Sequence, residues 1–109
     1  NLLHDTVVLM FGANSAFTKG QLERELKRIG MEKQIFLVTT TTSKTWRDDV
    51  NSVYAAVSEK YSNVHVLDWN EYSKDQDWFY SHKSYVTEVG AHEEALFFAK
   101  KIYETLRGN

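Results

Sequence analysis

The sequence contains no cysteine and no proline, and only five of its 109 residues are glycine. The missing cysteines exclude disulfide bonds, thiolate metal sites and a cysteine nucleophile. Thirteen basic and fifteen acidic side chains give a net charge of −2, so we expect no nucleic-acid partner. The longest apolar run has about seven residues, far short of the roughly 20 that a membrane-spanning helix needs. We therefore expect no membrane segment in this chain.

Apolar runs alternate with helical patterns along the whole chain. The runs at 7–11, 35–40 and 64–69 are typical of strands, and amphipathic patterns follow Thr18, Thr45 and Thr87. This alternation predicts an α/β fold, a three-layer α/β/α (flavodoxin-like) arrangement with a parallel sheet of about three strands and three helices. Residues 70–86 are predicted to form a loop. We expect residues 1–109 to form a single domain.

Three local signals refine this prediction. Thr18 and Gln21 have the spacing of a capping box, and Gly30 is placed to end the first helix. His65 lies between two valines of a predicted strand, which favours a structural, hydrogen-bonded histidine. The last helix is predicted to bury one face, formed by Ala91, Ala95, Phe98, Ala99, Ile102 and Leu106.

Ligands of open parallel sheets bind beyond the carboxyl ends of the strands. The fold therefore brings the segments 12–17, 40–45 and 70–85 to one surface. Gly12 and Asn14 follow the first strand, Thr42 follows the second, and Trp78 lies in the long loop. Taken alone, Gly12 and Asn14 are also typical of an ordinary turn, the threonines of a strand end, and Trp78 of core packing.

Several blocks together resemble the SGNH (GDSL-type) esterase family. They are Gly12-Ala13-Asn14, Leu67-Asp68-Trp69, Trp78-Phe79-Tyr80 and Gly90-Ala91, in that order and separation. They are most similar to the second half of the extracytoplasmic C-terminal domain of OatA-like peptidoglycan O-acetyltransferases. The resemblance implies acyl transfer or ester hydrolysis on cell-wall glycan, at the extracellular face of a bacterial membrane. It implies neither a cofactor nor a metal site.

The resemblance also assigns roles to individual residues. It implies that Gly12 and Asn14 form part of an oxyanion hole. The family's catalytic aspartate and histidine fall on His82 and Tyr85, and its serine block has no counterpart in these residues. Tyrosine is a poor general base at neutral pH, because its reference pKa is near 10. We therefore expect the C-terminal part of an SGNH-like acyltransferase or esterase domain that is catalytically degenerate.

Other interpretations stay open. Asp77 and His82 could form a shifted dyad that works with a serine outside the chain. The domain could instead be a non-catalytic glycan-binding or structural module that uses Thr42, Trp78 and Tyr85, or a flavodoxin-like domain that binds flavin. In the family's sheet the strand matching 7–11 has a further neighbour. The expected partner of this strand is therefore the missing N-terminal half of the domain, or a second copy through self-association.

Overall fold

The structure is a computed structural model that describes residues 5–12, 15–81 and 85–107. Seven elements follow one another along the chain. The three strands are β1 (Thr6–Leu9), β2 (Gln34–Val38) and β3 (Val64–Leu67); the four helices are α1 (Lys19–Ile29), α2 (Arg47–Lys60), α3 (Trp69–Ser73) and α4 (Glu88–Arg107). The strands form a parallel sheet in the order β1-β2-β3. The predicted α/β fold is thus confirmed.

Alternating side chains of β2 enter two separate cores, because successive residues of a strand point to opposite faces. Ile35 and Leu37 pack against α1 and α2, together with Leu26 and Tyr54. Phe36 and Val38 pack on the other face, in a cluster that contains Trp69 and Phe97. The four β2 residues Ile35–Val38 are essentially inaccessible to solvent, and so is Tyr54 of α2. The sheet is therefore the middle layer of three.

The capping signals of α1 are confirmed. Thr18 Oγ1 accepts a hydrogen bond from the Gln21 N–H at 3.2 Å, and Gln21 Oε1 accepts one from the Thr18 N–H at 2.8 Å. Gly30 ends the helix with φ +115°, a left-handed backbone that glycine adopts without strain. His65 is a structural histidine as predicted, since its Nε2 lies 2.8 Å from Gln34 Oε1.

One prediction about the C-terminal half is wrong, and another is confirmed only in part. The segment 70–86 is not entirely loop, because α3 begins at Trp69, where Asp68 caps it by accepting from the Glu71 N–H. The buried face of α4 differs from the predicted one only in part. Phe98, Ile102 and Leu106 pack against the second core as predicted. The three predicted alanines are exposed instead, and Gly90 and Phe97 are buried. Phe97 is buried because its large ring enters the aromatic cluster around Trp69.

Candidate functional site at the strand ends

Gly12 forms a turn where the chain leaves β1. Its φ is +98°, which residues with a Cβ rarely adopt. A Cβ at this position would also lie 2.7 Å from Val50 Cγ1 and 3.4 Å from Thr40 Cγ2. The backbone therefore needs glycine here for two independent reasons. Asn14, the second residue of this predicted site, lies outside the described residues.

Helix α2 holds the backbone on both sides of this turn. The Tyr54 hydroxyl donates to the Phe11 carbonyl oxygen at 2.8 Å and accepts from the Phe11 N–H at 3.0 Å. The Trp46 indole N–H donates to the Gly12 carbonyl oxygen at 2.8 Å. Burial raises the pKa of Tyr54 to about 12, so its hydroxyl keeps its proton throughout the neutral range. Sequence reasoning missed this function of Tyr54.

A groove of about 560 Å³ opens beside Gly12, with residues 10–12 and 15–17 on one side and α1 on the other. Apolar side chains form part of its lining, and charged groups of α1 complete it; the lining includes Met10, Phe11, Phe17, Leu22, Arg24 and Glu25. A concave surface with mostly apolar walls and a few polar groups is typical of a small-molecule site. The Gly12 turn thus has space for a ligand next to it.

The threonines that follow β2 are engaged in structural hydrogen bonds. Thr39 Oγ1 donates to Asp68 Oδ1 at 3.1 Å and accepts from the Asn70 N–H at 2.8 Å. The Asn51 side chain pairs with both backbone groups of Thr40. Thr42 is completely buried, and its Oγ1 accepts from the Lys44 N–H. These bonds fix the end of β2 beside the Gly12 turn, but they leave Thr42 inaccessible to a ligand in this conformation.

Trp78 lies at the border of the second core. Its ring stacks on that of Trp69, with centroids 5.6 Å apart and planes within 9° of parallel. Its carbonyl oxygen accepts hydrogen bonds from the N–H and the hydroxyl of Thr87, the residue that caps α4. Trp78 is partly accessible. One face of the Trp78 ring therefore packs in the core, and the Trp78 backbone joins the segment after α3 to the start of α4.

Tyr85 and Asp77 are exposed residues of the same region. The Tyr85 carbonyl oxygen accepts from the Tyr80 N–H at 3.1 Å, next to an antiparallel bridge between Phe79 and Val86. The two tyrosine side chains are 57% and 58% accessible. His82 lies outside the described residues, so the distance between Asp77 and His82 stays a prediction.

Glu94 is a site residue that sequence reasoning missed. It lines a cavity of about 60 Å³ at the ends of β1 and β2, together with Phe11, Thr40 and Phe79. Burial raises the pKa of its carboxyl group. A pair of glutamates in an amphipathic helix is typical of a solvated surface. Only the position of α4 over the sheet distinguishes Glu94 from its neighbour Glu93.

The comparisons with known proteins identify relatives of this chain. No protein-family profile matches it. Over 90 residues, or 83% of the chain, it is 36% identical to proteins of Staphylococcus aureus strains MSSA476 and MW2 that are named provisionally as O-acetyltransferases. Over 88 residues it is 34% identical to the O-acetyltransferase OatA of S. aureus strain NCTC 8325. The chain is homologous to a segment of the OatA-like O-acetyltransferases.

The match to these OatA-like proteins covers only a small part of them. It spans 14% of the length of the first relatives and 13% of OatA itself. Within the described ranges, no helix is both long and apolar enough to cross a membrane, and no cluster of three or more histidine, aspartate or glutamate side chains could hold a metal ion.

Proposed function

We propose that this chain is the C-terminal part of an SGNH-like acyltransferase or esterase domain related to the O-acetylation of cell-wall glycan, and that its catalytic acid and base have been lost. The observation that carries the proposal is the Gly12 turn, held by α2 at the carboxyl end of β1, in a chain homologous to O-acetyltransferases. By the same resemblance, the domain would act at the extracellular face of a bacterial membrane.

In this proposal the Gly12–Asn14 block retains the part of the site that stabilises negative charge. Acyl transfer passes through a tetrahedral intermediate whose oxyanion needs donors fixed in advance; one such donor contributes roughly 2.7–4 kcal/mol. The rigid turn provides that fixation, and the 560 Å³ groove beside Gly12 provides space for an ester. The serine nucleophile would come from sequence outside these 109 residues.

The loss of the acid and base rests on His82 and Tyr85. A triad depends on an aspartate that orients the histidine and on a histidine that takes the proton of the serine. A tyrosine at the position of the base retains its own proton near neutral pH, and a histidine at the position of the aspartate supplies no orienting anion. We therefore expect the isolated chain to show no turnover of p-nitrophenyl acetate above a control with an inert protein.

A chimera gives the direct test. The matching segment of S. aureus OatA is replaced by this chain, with and without the double change His82→Asp and Tyr85→His. We expect release of p-nitrophenol only from the double variant, because the acid and base act as a unit. The single variants are the matched controls. Turnover by the unmodified chimera, abolished by His82→Ala or Asp77→Ala, would support the shifted Asp77/His82 dyad instead.

A non-catalytic, glycan-binding role is the second candidate. It is favoured by the exposed rings of Tyr80 and Tyr85, two residues whose backbones are joined by a hydrogen bond from the Tyr80 N–H to the Tyr85 carbonyl oxygen. Aromatic faces of this kind offer apolar area and a polar hydroxyl to a ligand. The partly accessible Trp78 lies directly before them.

This second candidate predicts binding without turnover. Soluble peptidoglycan fragments should shift the NMR signals of Tyr80 and Tyr85, and Tyr85→Ala should weaken the response. Tyr103→Ala removes an equally exposed ring from α4 and should leave binding unchanged. Saturating fragments without any shift in the spectrum would contradict the glycan-binding role.

A further inference from the structure

The turn at Gly12 is held by side chains rather than by the sheet. Strand β1 ends at Leu9, and the backbone groups of Phe11 bond to the Tyr54 hydroxyl instead of a neighbouring strand. Trp46, eight residues before Tyr54 on the same helix edge, bonds to the Gly12 carbonyl oxygen. Residues eight apart lie on one side of a helix, a little over two turns from each other. The two side chains therefore form one clamp.

The clamp fixes both peptide planes that meet at Gly12. The plane before Gly12 contains the Phe11 carbonyl group, and the plane after it contains the Gly12 carbonyl group. Because a peptide unit is planar and rigid, a bond to each carbonyl oxygen restrains the orientation of its whole plane. The two planes together determine φ and ψ of Gly12.

We infer that Trp46 and Tyr54 are positioning residues of the Gly12 turn, whose backbone they orient for the oxyanion of the acyl-transfer reaction. The inference rests on the proposed function. Neither side chain needs to touch the substrate, since each acts through a backbone carbonyl oxygen. Val50 lies between them on α2 and fills the space above Gly12, so the helix supports the turn along its whole inner edge.

The chain contains a matched pair of variants for the test. Each of these variants deletes one tyrosine hydroxyl: Tyr54→Phe within α2, and Tyr61→Phe at the residue that caps its C-terminus. The Tyr61 hydroxyl donates to Glu23 Oε2 at 2.6 Å, so its loss should not affect the Gly12 turn directly. Amide exchange and the Gly12 chemical shift in the 109-residue chain report on the turn, and the amides of Phe36 and Phe97 report on the rest of the fold.

We expect Tyr54→Phe to speed exchange of the Phe11 amide about fivefold or more, because its only described acceptor is removed, and to shift the Gly12 signal. The Tyr61→Phe variant should leave both unchanged. The indole N–H of Trp46 should exchange more slowly in the wild-type chain than in Tyr54→Phe. Unchanged Phe11 exchange and an unchanged Gly12 shift in Tyr54→Phe would overturn the inference.

The catalytic consequence is tested in the chimera that carries His82→Asp and Tyr85→His. There Tyr54→Phe should lower kcat about tenfold with KM unchanged, since a misplaced donor affects the transition state more than ground-state binding. Tyr61→Phe should change neither constant. An unaltered kcat in Tyr54→Phe would overturn the positioning role while the proposed function stands. A folded chimera without any turnover would contradict the proposed function, and the amide measurements would still decide whether the clamp holds the turn.

Discussion

At the scale of single residues, Gly12 is the position where the sequence has least freedom. Replacement by alanine would place a Cβ against Val50 and Thr40 at a positive φ. We expect Gly12→Ala to lower the free energy of unfolding by about 1–3 kcal/mol, because backbone strain and overpacking add. Urea denaturation measures the change. A variant as stable as the wild-type chain would show that the turn is not held as described.

Glu94 provides a test of electrostatics at the same scale. Burial raises the pKa of its carboxyl group, so the folded chain binds its proton more tightly than the unfolded chain does. Protonation of Glu94 therefore contributes to the free energy of unfolding at low pH. This contribution is lost as the pH rises through the folded-state pKa. We expect Glu94→Gln to melt at a higher temperature than the wild type at pH 7.5, by a margin that narrows toward pH 4.

The neighbouring glutamate is the control for this experiment. Glu93→Gln makes the same chemical change one position earlier on α4, at a side chain outside the small cavity. Its melting temperature should follow that of the wild-type chain across the same pH range. An equal effect of both substitutions, or a margin for Glu94→Gln that widens toward low pH, would contradict the burial of the Glu94 carboxyl.

At the scale of elements, the sequence predicts the parts that local chemistry determines. The Thr18–Gln21 capping box depends on side chains three residues apart, and the parallel sheet follows from the alternation of strands and helices. Helix α3 was missed because five residues are too few to show a helical period. The buried face of α4 was predicted only in part. Alanines fit a buried or an exposed surface equally well, and Phe97 is placed by contacts with Trp69 and Tyr72, which are distant in sequence.

The candidate site also contains residues that local sequence predicts and residues that only contacts between elements reveal. Gly12 could be predicted from the sequence, since a glycine that follows a strand indicates a special turn. The functions of Trp46 and Tyr54 could not, because their partners lie 34 and 43 residues away. Glu94 required knowledge of how α4 lies over the sheet. Contacts between elements thus determine most of the site, and local patterns determine only its glycine.

Helix α4 meets the Trp78 backbone at a glycine, which gives a prediction for the packing of this element. A Cβ at Gly90 would overlap the Trp78 carbonyl oxygen and lie 2.8 Å from Trp78 Cβ. We expect Gly90→Ala to destabilise the chain by about 1–3 kcal/mol despite the better helix propensity of alanine. Gly20→Ala in α1, where a Cβ would lie 4.0 Å from Thr18 Oγ1 without any clash, should instead stabilise by about 0.5–1 kcal/mol. Thermal denaturation of both variants compares them directly, and equal signs would contradict the close approach at Gly90.

At the scale of the whole molecule, β1 is an edge strand of the sheet, and one of its faces is partly uncovered. Among the described residues it pairs only with β2, and Val8, which is in register with the buried Phe36, is 40% accessible. Helix α4 therefore covers β2 and β3 on that face but leaves β1 open. Bare strand edges and uncovered apolar faces favour pairing with another chain. We propose that β1 contacts either the missing N-terminal half of the domain or a second copy of this chain.

Self-association of the isolated 109 residues tests this surface. We expect light scattering at tens of micromolar to detect dimers or larger species, and Val8→Lys to restore the monomer, since a charge at an edge strand disfavours pairing. Leu9 is a poorer probe, because its side chain packs into the core against α1 and α2. Val89→Lys makes the same change at an exposed position of α4 and should leave association intact. If the wild-type chain stays monomeric and its amides along Thr6–Leu9 exchange slowly, the edge of β1 is protected within the chain itself, and neither partner is needed to cover it.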